Sequence, residues 1–273
     1  MKQFLTVCLL FLSFSLKAQD VYSTKTNIPY YQDSTGHDQD YKSSRCLLDV
    51  YYPKNIKDFS TIIWFHGGGL TGGGKFIPKE LMGKGYAVIG VGYRLSPKAK
   101  APAYIEDAAA AVAWVFNHIS EFGGNDKKIY LSGHSAGGYL AMLITLNKSY
   151  LEKYHIDANQ IAELIPFSGQ CITHFTVRAE KGIKETQPTI DEYAPLYWVR
   201  PDAPPIMLIT GDAELELYGR FEENAYMLRM MKLVGHKKTR LLQLQGYDHG
   251  GMATPAFPLL LSEIANHERQ RNQ

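Results

Sequence analysis

The sequence predicts an α/β protein in which a mainly parallel sheet is covered by helices on both faces. Short runs rich in β-branched and aromatic residues alternate along the chain with longer stretches of helical period. Strands separated by helices in this way build parallel sheets whose two faces are both buried. The length, 273 residues, suits one large α/β domain, and 45% hydrophobic against 21% charged residues is ordinary for a folded core.

Taken in order, residues 1–18 read as a leader rather than as part of the fold. Lys2 is followed by a run at residues 4–16 that is apolar apart from Thr6, Ser13 and Ser15. The run is short for a bilayer span and suits a signal peptide cleaved after Ala18, so the protein is expected to be exported, to the periplasm or beyond. Residues 19–273 are then expected to form a single domain. Strands are expected at 45–52, ended by Pro53, and at 61–65 and 86–91. A helix over 101–122 carries apolar residues at Ile105, Ala108, Ala109, Val112, Val115, Phe116 and Ile119, and Gly123-Gly124 stops it. Further strands follow at 129–132, 161–167, 206–210 and 239–244, with helices at 136–146, 221–234 and 258–267. Residues 170–202, of mixed polarity and interrupted by Pro188, Pro195 and Pro201, read as a loop-rich insertion over one end of the sheet.

Composition excludes several classes. With 29 basic and 27 acidic residues the formal charge is +2, too small for a nucleic-acid footprint. Lys2 and Lys17 both lie in the expected leader, so the rest of the chain is formally neutral. Three cysteines cannot make a disulfide scaffold or a four-ligand zinc site. Cys8 lies in the leader; Cys46 and Cys171 either pair or remain buried thiols. His174 beside Cys171 is too sparse for a metal site, and neither a metal nor a cofactor is expected.

Three constellations carry chemistry. Gly133-His134-Ser135-Ala136-Gly137 matches G-x-S-x-G, between an expected strand and an expected helix. That geometry needs a serine on a sharp, strained turn, flanked by glycines where strand and helix meet. His66-Gly67-Gly68-Gly69 follows the strand ending at Phe65, where bare main chain can bring N–H donors to a developing oxyanion. The third is a general base, without which a serine hydroxyl is a poor nucleophile. His37 precedes the sheet, His118 and His267 fall in helices, and His236 comes before a strand. His249 follows the last strand, at the sheet edge where Ser135 is expected. The acid should follow the preceding strand, and there Asp212, Glu214 and Glu216 compete.

His66-Gly67-Gly68-Gly69, Tyr93-Arg94-Leu95, Gly133-His134-Ser135-Ala136-Gly137-Gly138 and Asp248-His249-Gly250 together resemble α/β-hydrolase carboxylesterases. The likeness is to the hormone-sensitive-lipase-like and feruloyl- or acetyl-esterase-like branches, and it runs from about residue 45 to the C-terminus. His134, standing where many hormone-sensitive-lipase-like members have Asp, tilts it toward the polysaccharide-esterase side. The resemblance implies an α/β-hydrolase fold with a small loop-rich cap. It assigns oxyanion N–H groups to Gly68, Gly69 and Ala136. It puts the acid three residues after the glycine that ends its strand, at Glu214, with Asp212 as the alternative. The activity implied is cleavage of carboxylic esters through an acyl-enzyme, on a small-molecule or carbohydrate ester, with acetyl or feruloyl esters of plant carbohydrate attractive for an exported protein. An amidase or peptidase would share these motifs, and a non-catalytic binding protein would share the scaffold.

Overall fold

The computed structural model describes residues 21–31 and 39–271. The expected leader lies outside the described residues, as does His37. Eight strands form one sheet in the order β1-β2-β4-β3-β5-β6-β7-β8. They are β1 Tyr22–Pro29, β2 Leu47–Pro53, β3 Phe59–Phe65, β4 Ala87–Val91, β5 Gly124–His134, β6 Glu163–Phe167, β7 Ile206–Thr210 and β8 Thr239–Gln243. β2 is antiparallel to both β1 and β4, and every pairing from β4 to β8 is parallel. This is the α/β-hydrolase architecture.

The helices are α1 Gln39–Arg45, α2 Ala103–Phe122, α3 Ala136–Leu146, α4 Ser149–Glu152, α5 Phe175–Glu180, α6 Arg220–Leu233 and α7 Ala253–Arg271. Every residue of β3 is buried, and its side chains divide strictly by parity between two cores. Ile63 and Phe65 face the core built with α2 and α3, while Ile62 and Trp64 face the one built with Phe257, Leu260 and Ile264 of α7. Successive side chains of a strand point to opposite faces, so an all-apolar run is what a doubly covered strand requires. β7 repeats the division, with Ile206 and Leu208 on one face and Met207 and Ile209 on the other. Gly123 ends α2 in the left-handed conformation at φ 96°, its N–H bonding back to the carbonyls of Ile119 and Ser120.

Several boundaries differ from the sequence expectation. β1 lies in a segment where no strand was expected; it is an edge strand whose middle residues are exposed, so no apolar run marks it. α7 starts at Ala253 rather than 258. Pro255 falls in the first turn, where N–H groups have no intrahelical partner, and Pro258 lies inside the helix at the loss of one bond. Cys46 and Cys171 are both buried free thiols, not a disulfide. No helix among the described residues is long and apolar enough to cross a membrane.

At the sheet edge opposite to the expected site, Glu163 opens β6 almost fully buried, with His267 Nδ1 3.6 Å from its carboxylate. Burial first, then neighbouring Glu263, push its carboxyl up to about 8, against a weaker opposing pull from Arg240. A folded-state pKa raised above the unfolded one gives stability that is complete below the unfolded value, about 4.3, and disappears as pH rises through the folded one. Glu163→Gln should therefore barely change the thermal midpoint near pH 4, and should raise it relative to the parent at about pH 9. A lower midpoint for the variant at the alkaline pH would contradict the raised carboxyl.

Candidate active site

The parallel strands deliver their C-terminal ends to one edge, and the loops leaving β3, β5, β7 and β8 meet there. Ser135 occupies the turn between β5 and α3 at φ 56° and ψ −116°, a conformation costly for a residue with a Cβ. The surrounding structure enforces it. A Cβ on Gly133 would stand 2.6 Å from the carbonyl carbon of Gly137, and one on Gly137 would collide with the carbonyl oxygen of Phe65. Strand and helix thus cross at backbone contact, which the two glycines permit. The Ser135 N–H donates to Phe167 O at 2.8 Å, pinning the turn to the end of β6, and Ser135 is 8% exposed.

His249 Nε2 lies 2.9 Å from Ser135 Oγ. Its Nδ1 lies 2.7 Å from Oε2 of Glu216, whose side chain is 1% exposed. Burial resists ionisation of Glu216, but bonds from His249, Ser168 and the Gly211 N–H outweigh it and hold the carboxyl at about 2. An ionised carboxylate only accepts, so Nδ1 of the neutral imidazole carries the proton. Nε2 is thereby free to accept from Ser135.

The structure does not bring the expected acid to His249. Glu214 is exposed, and its N–H donates to Asp212 Oδ1 at 3.0 Å. Asp212 accepts from the Gly246 N–H at 2.7 Å, clamping the β7 loop to the β8 loop. Neither carboxylate reaches His249; Glu216 does. The cause is local. Glu216 N–H donates to Asp212 O at 2.9 Å, so residues 212–216 close a helical turn after the strand. That turn rotates Glu216 back until its Oε1 accepts from the Gly211 N–H, also at 2.9 Å.

The glycine loop lies beside the serine: a Cβ on Gly67 would be 3.5 Å from Ser135 Cβ. Gly68 has φ 114°, and a Cβ there would collide with the Gly72 carbonyl. Among the described residues, no acceptor takes the N–H of Gly68, Gly69 or Ala136, while Gly68 O accepts from Thr71 and Gly72. Tyr93 buttresses the loop: its hydroxyl donates to His66 O at 2.6 Å and its ring stacks on His66 at 4.3 Å. Burial holds the His66 imidazole down at about 4, so this support stays neutral at pH 7. Arg94 chelates buried Asp107 at 2.7 and 2.8 Å, securing the start of α2 against the loop after β4. From above, α5 of the loop-rich segment closes on the same loop: Thr176 Oγ1 donates to Gly69 O, and the Phe175 ring stands 3.1 Å from a Gly69 Cβ.

His134, within the serine motif, has a second use. Its Nε2 donates to His249 O at 2.8 Å, and the two rings lie 4.8 Å apart. Burial, followed by the proximity of His249, lowers its pKa to about 4, so it acts as a neutral donor that fixes the backbone of the histidine loop. No sequence spacing signals this contact, nor the part played by Ser168, because both depend on chain brought together from distant positions. Among the described residues, no three His, Cys, Asp or Glu side chains converge as a metal site would.

A family model described as BD-FAE matches residues 48–216, a stretch that contains both Ser135 and Glu216. A probable isoprenylcysteine alpha-carbonyl methylesterase of Oryza sativa subsp. japonica is 28% identical over 179 residues, covering 58% of this chain and 42% of that protein. The chain thus spans less than half the length of that relative, and 21% and 32% of the next two. Among solved structures, a truncated carbohydrate esterase from gut microbiota superimposes with a TM-score of 0.72 at 20% identity, covering 92% of this chain and 98% of that one. A thermophilic esterase of the planctomycete Thermogutta terrifontis, bound to propionate, gives a TM-score of 0.67 at 22% identity, over 89% and 94% of the two chains. At these identities the two structures share the fold.

Proposed function

The chain belongs to the BD-FAE family, and from that premise we propose that it is a serine esterase that cleaves carboxylic esters of carbohydrates through an acyl-enzyme. The observation that carries the reading is the unbroken relay from Ser135 Oγ to His249 Nε2 at 2.9 Å and from Nδ1 to Glu216 at 2.7 Å. Ser135 Oγ attacks the ester carbonyl as its proton passes to Nε2. Glu216, ionised, stabilises the imidazolium so formed. The N–H groups of Gly68, Gly69 and Ala136 receive the oxyanion. His249 then protonates the departing alcohol oxygen, and water, activated by the same imidazole, releases the acid and restores Ser135.

The finer substrate class rests on two supports. One is the likeness in fold to a carbohydrate esterase. The other is Phe175, whose ring would lie 3.1 Å from a Cβ on Gly69 and so packs against the oxyanion loop; we infer that it limits the acyl group to a small one such as acetyl rather than feruloyl. The test is a panel of acetylated oligosaccharide, aryl acetate, aryl octanoate, methyl ferulate and an acetanilide. Acetyl esters are expected to give the highest kcat/KM, and Phe175→Ala to shift the preference toward the longer acyl chain. Methyl ferulate turned over faster than acetyl esters would overturn the acetyl assignment; anilide turned over faster than ester would overturn the esterase.

A further inference from the structure

Ser168 follows β6 directly, is fully buried, and has φ 48°. Its Oγ lies 2.6 Å from Glu216 Oε1 and 3.0 Å from His249 Nδ1. Glu216 accepts only, so the Ser168 hydroxyl donates to Oε1 and turns a lone pair toward the Nδ1 proton. That proton therefore faces two acceptors, Glu216 Oε2 at 2.7 Å and Ser168 Oγ at 3.0 Å.

The backbone around Ser168 is held as firmly as its side chain. Its N–H donates to Ile209 O at 2.7 Å, which ties it to β7, the strand that leads into the acid's turn. Its carbonyl accepts from the guanidinium of buried Arg220. The carbonyl of the preceding residue, Phe167, is the one that accepts from the Ser135 N–H. One short turn thus touches the serine, the histidine and the acid. A residue chosen only to fill buried space would not need a hydroxyl at this position, nor a left-handed backbone that disfavours every side chain.

We propose that Ser168 is a positioning residue of the hydrolytic site, its hydroxyl bridging Glu216 and His249. It locks the rotation of the carboxylate so that Oε2 stays on the imidazole. It also offers a second acceptor to Nδ1–H as positive charge develops on the ring. The inference rests on the serine-hydrolase reading of the site, since only that chemistry places charge on His249. Because the imidazolium exists in the transition state and not in the ground state, loss of the hydroxyl should lower kcat and kcat/KM together and leave KM alone.

The test compares Ser168→Ala, Ser168→Gly and Ser135→Ala with the parent on an aryl acetate, with thermal midpoints recorded for each. A hydrogen bond to a charged group accounts for about ten- to a hundredfold in rate, so both Ser168 variants should lose that much kcat with KM within about twofold. Glycine accommodates φ 48° without strain, so Ser168→Gly keeps the turn even if the alanine variant folds poorly. In a Glu216→Gln background, where the carboxylate is already lost, adding Ser168→Ala should cost less than about threefold, the non-additivity expected of groups acting through one another. Full additivity, an effect confined to KM, or parental kcat in Ser168→Gly would each overturn the bridging role while leaving the hydrolase reading intact. Parental turnover in Ser135→Ala would overturn both.

Discussion

Ser135→Ala is expected to lower kcat on an aryl acetate by about a million-fold, the scale seen when a triad serine is deleted. Among the described residues, no second hydroxyl is hydrogen-bonded to Nε2 to take over. His249 Nε2 meets the Ser135 hydroxyl, and the Ser168 hydroxyl lies on the opposite ring nitrogen at Nδ1. Some turnover above the uncatalysed rate should survive, because the oxyanion role proposed for the N–H groups of Gly68, Gly69 and Ala136 does not depend on the hydroxyl. The same position allows an independent check on strain. Alanine keeps the Cβ that makes φ 56° and ψ −116° costly, whereas glycine removes it. Ser135→Gly should therefore be inactive yet more stable than Ser135→Ala by about 1–3 kcal/mol, read as a higher midpoint in thermal or denaturant unfolding. Equal stability of the two would show that the turn is unstrained. Parental activity in either variant would remove Ser135 from the chemistry.

The parts of this site that are legible in the sequence are those fixed by local rules. The serine turn is written in adjacent residues, because Gly133 and Gly137 answer to a single crossing of strand over helix. His249 can be picked from the other histidines because it follows a recognisable strand at the correct sheet edge. The doubly buried strands announce themselves by apolar runs such as residues 61–65, while β1, polar and, among the described residues, paired with β2 at the sheet edge, does not. The acid is misread for a different reason. Asp212, Glu214 and Glu216 alternate, so composition cannot separate them, and a fixed offset from Gly211 presumes an extended loop. The chain instead winds into a helical turn, bringing forward the residue two places further on. His134 and Ser168 are invisible to local reading, since each acts through a contact with the histidine loop more than eighty residues away.

Glu216→Gln should lower kcat about ten-thousandfold, as the corresponding acid-to-amide change does in a serine triad. The geometry supplies the mechanism. Oε1 accepts from the Gly211 N–H at 2.9 Å, whereas Oε2 accepts from the Leu217 N–H at only 3.2 Å. An amide has one oxygen, and the shorter bond keeps it on the Gly211 side, with Ser168 also donating there. The amide nitrogen then faces His249 Nδ1 as a donor and holds the imidazole in the tautomer protonated at Nε2. That ring cannot take a proton from Ser135, however well the atoms superimpose. Glu214→Gln, on an exposed side chain away from His249, should stay within about twofold of the parent, as surface substitutions away from such features do. Asp212→Asn should weaken the clamp on Gly246 and lower the thermal midpoint more than it lowers kcat. Steady-state kinetics on the three variants decide the matter by rank. If Glu214→Gln or Asp212→Asn proved the most damaging to kcat, the acid would have to be reassigned and the helical turn at 212–216 with it.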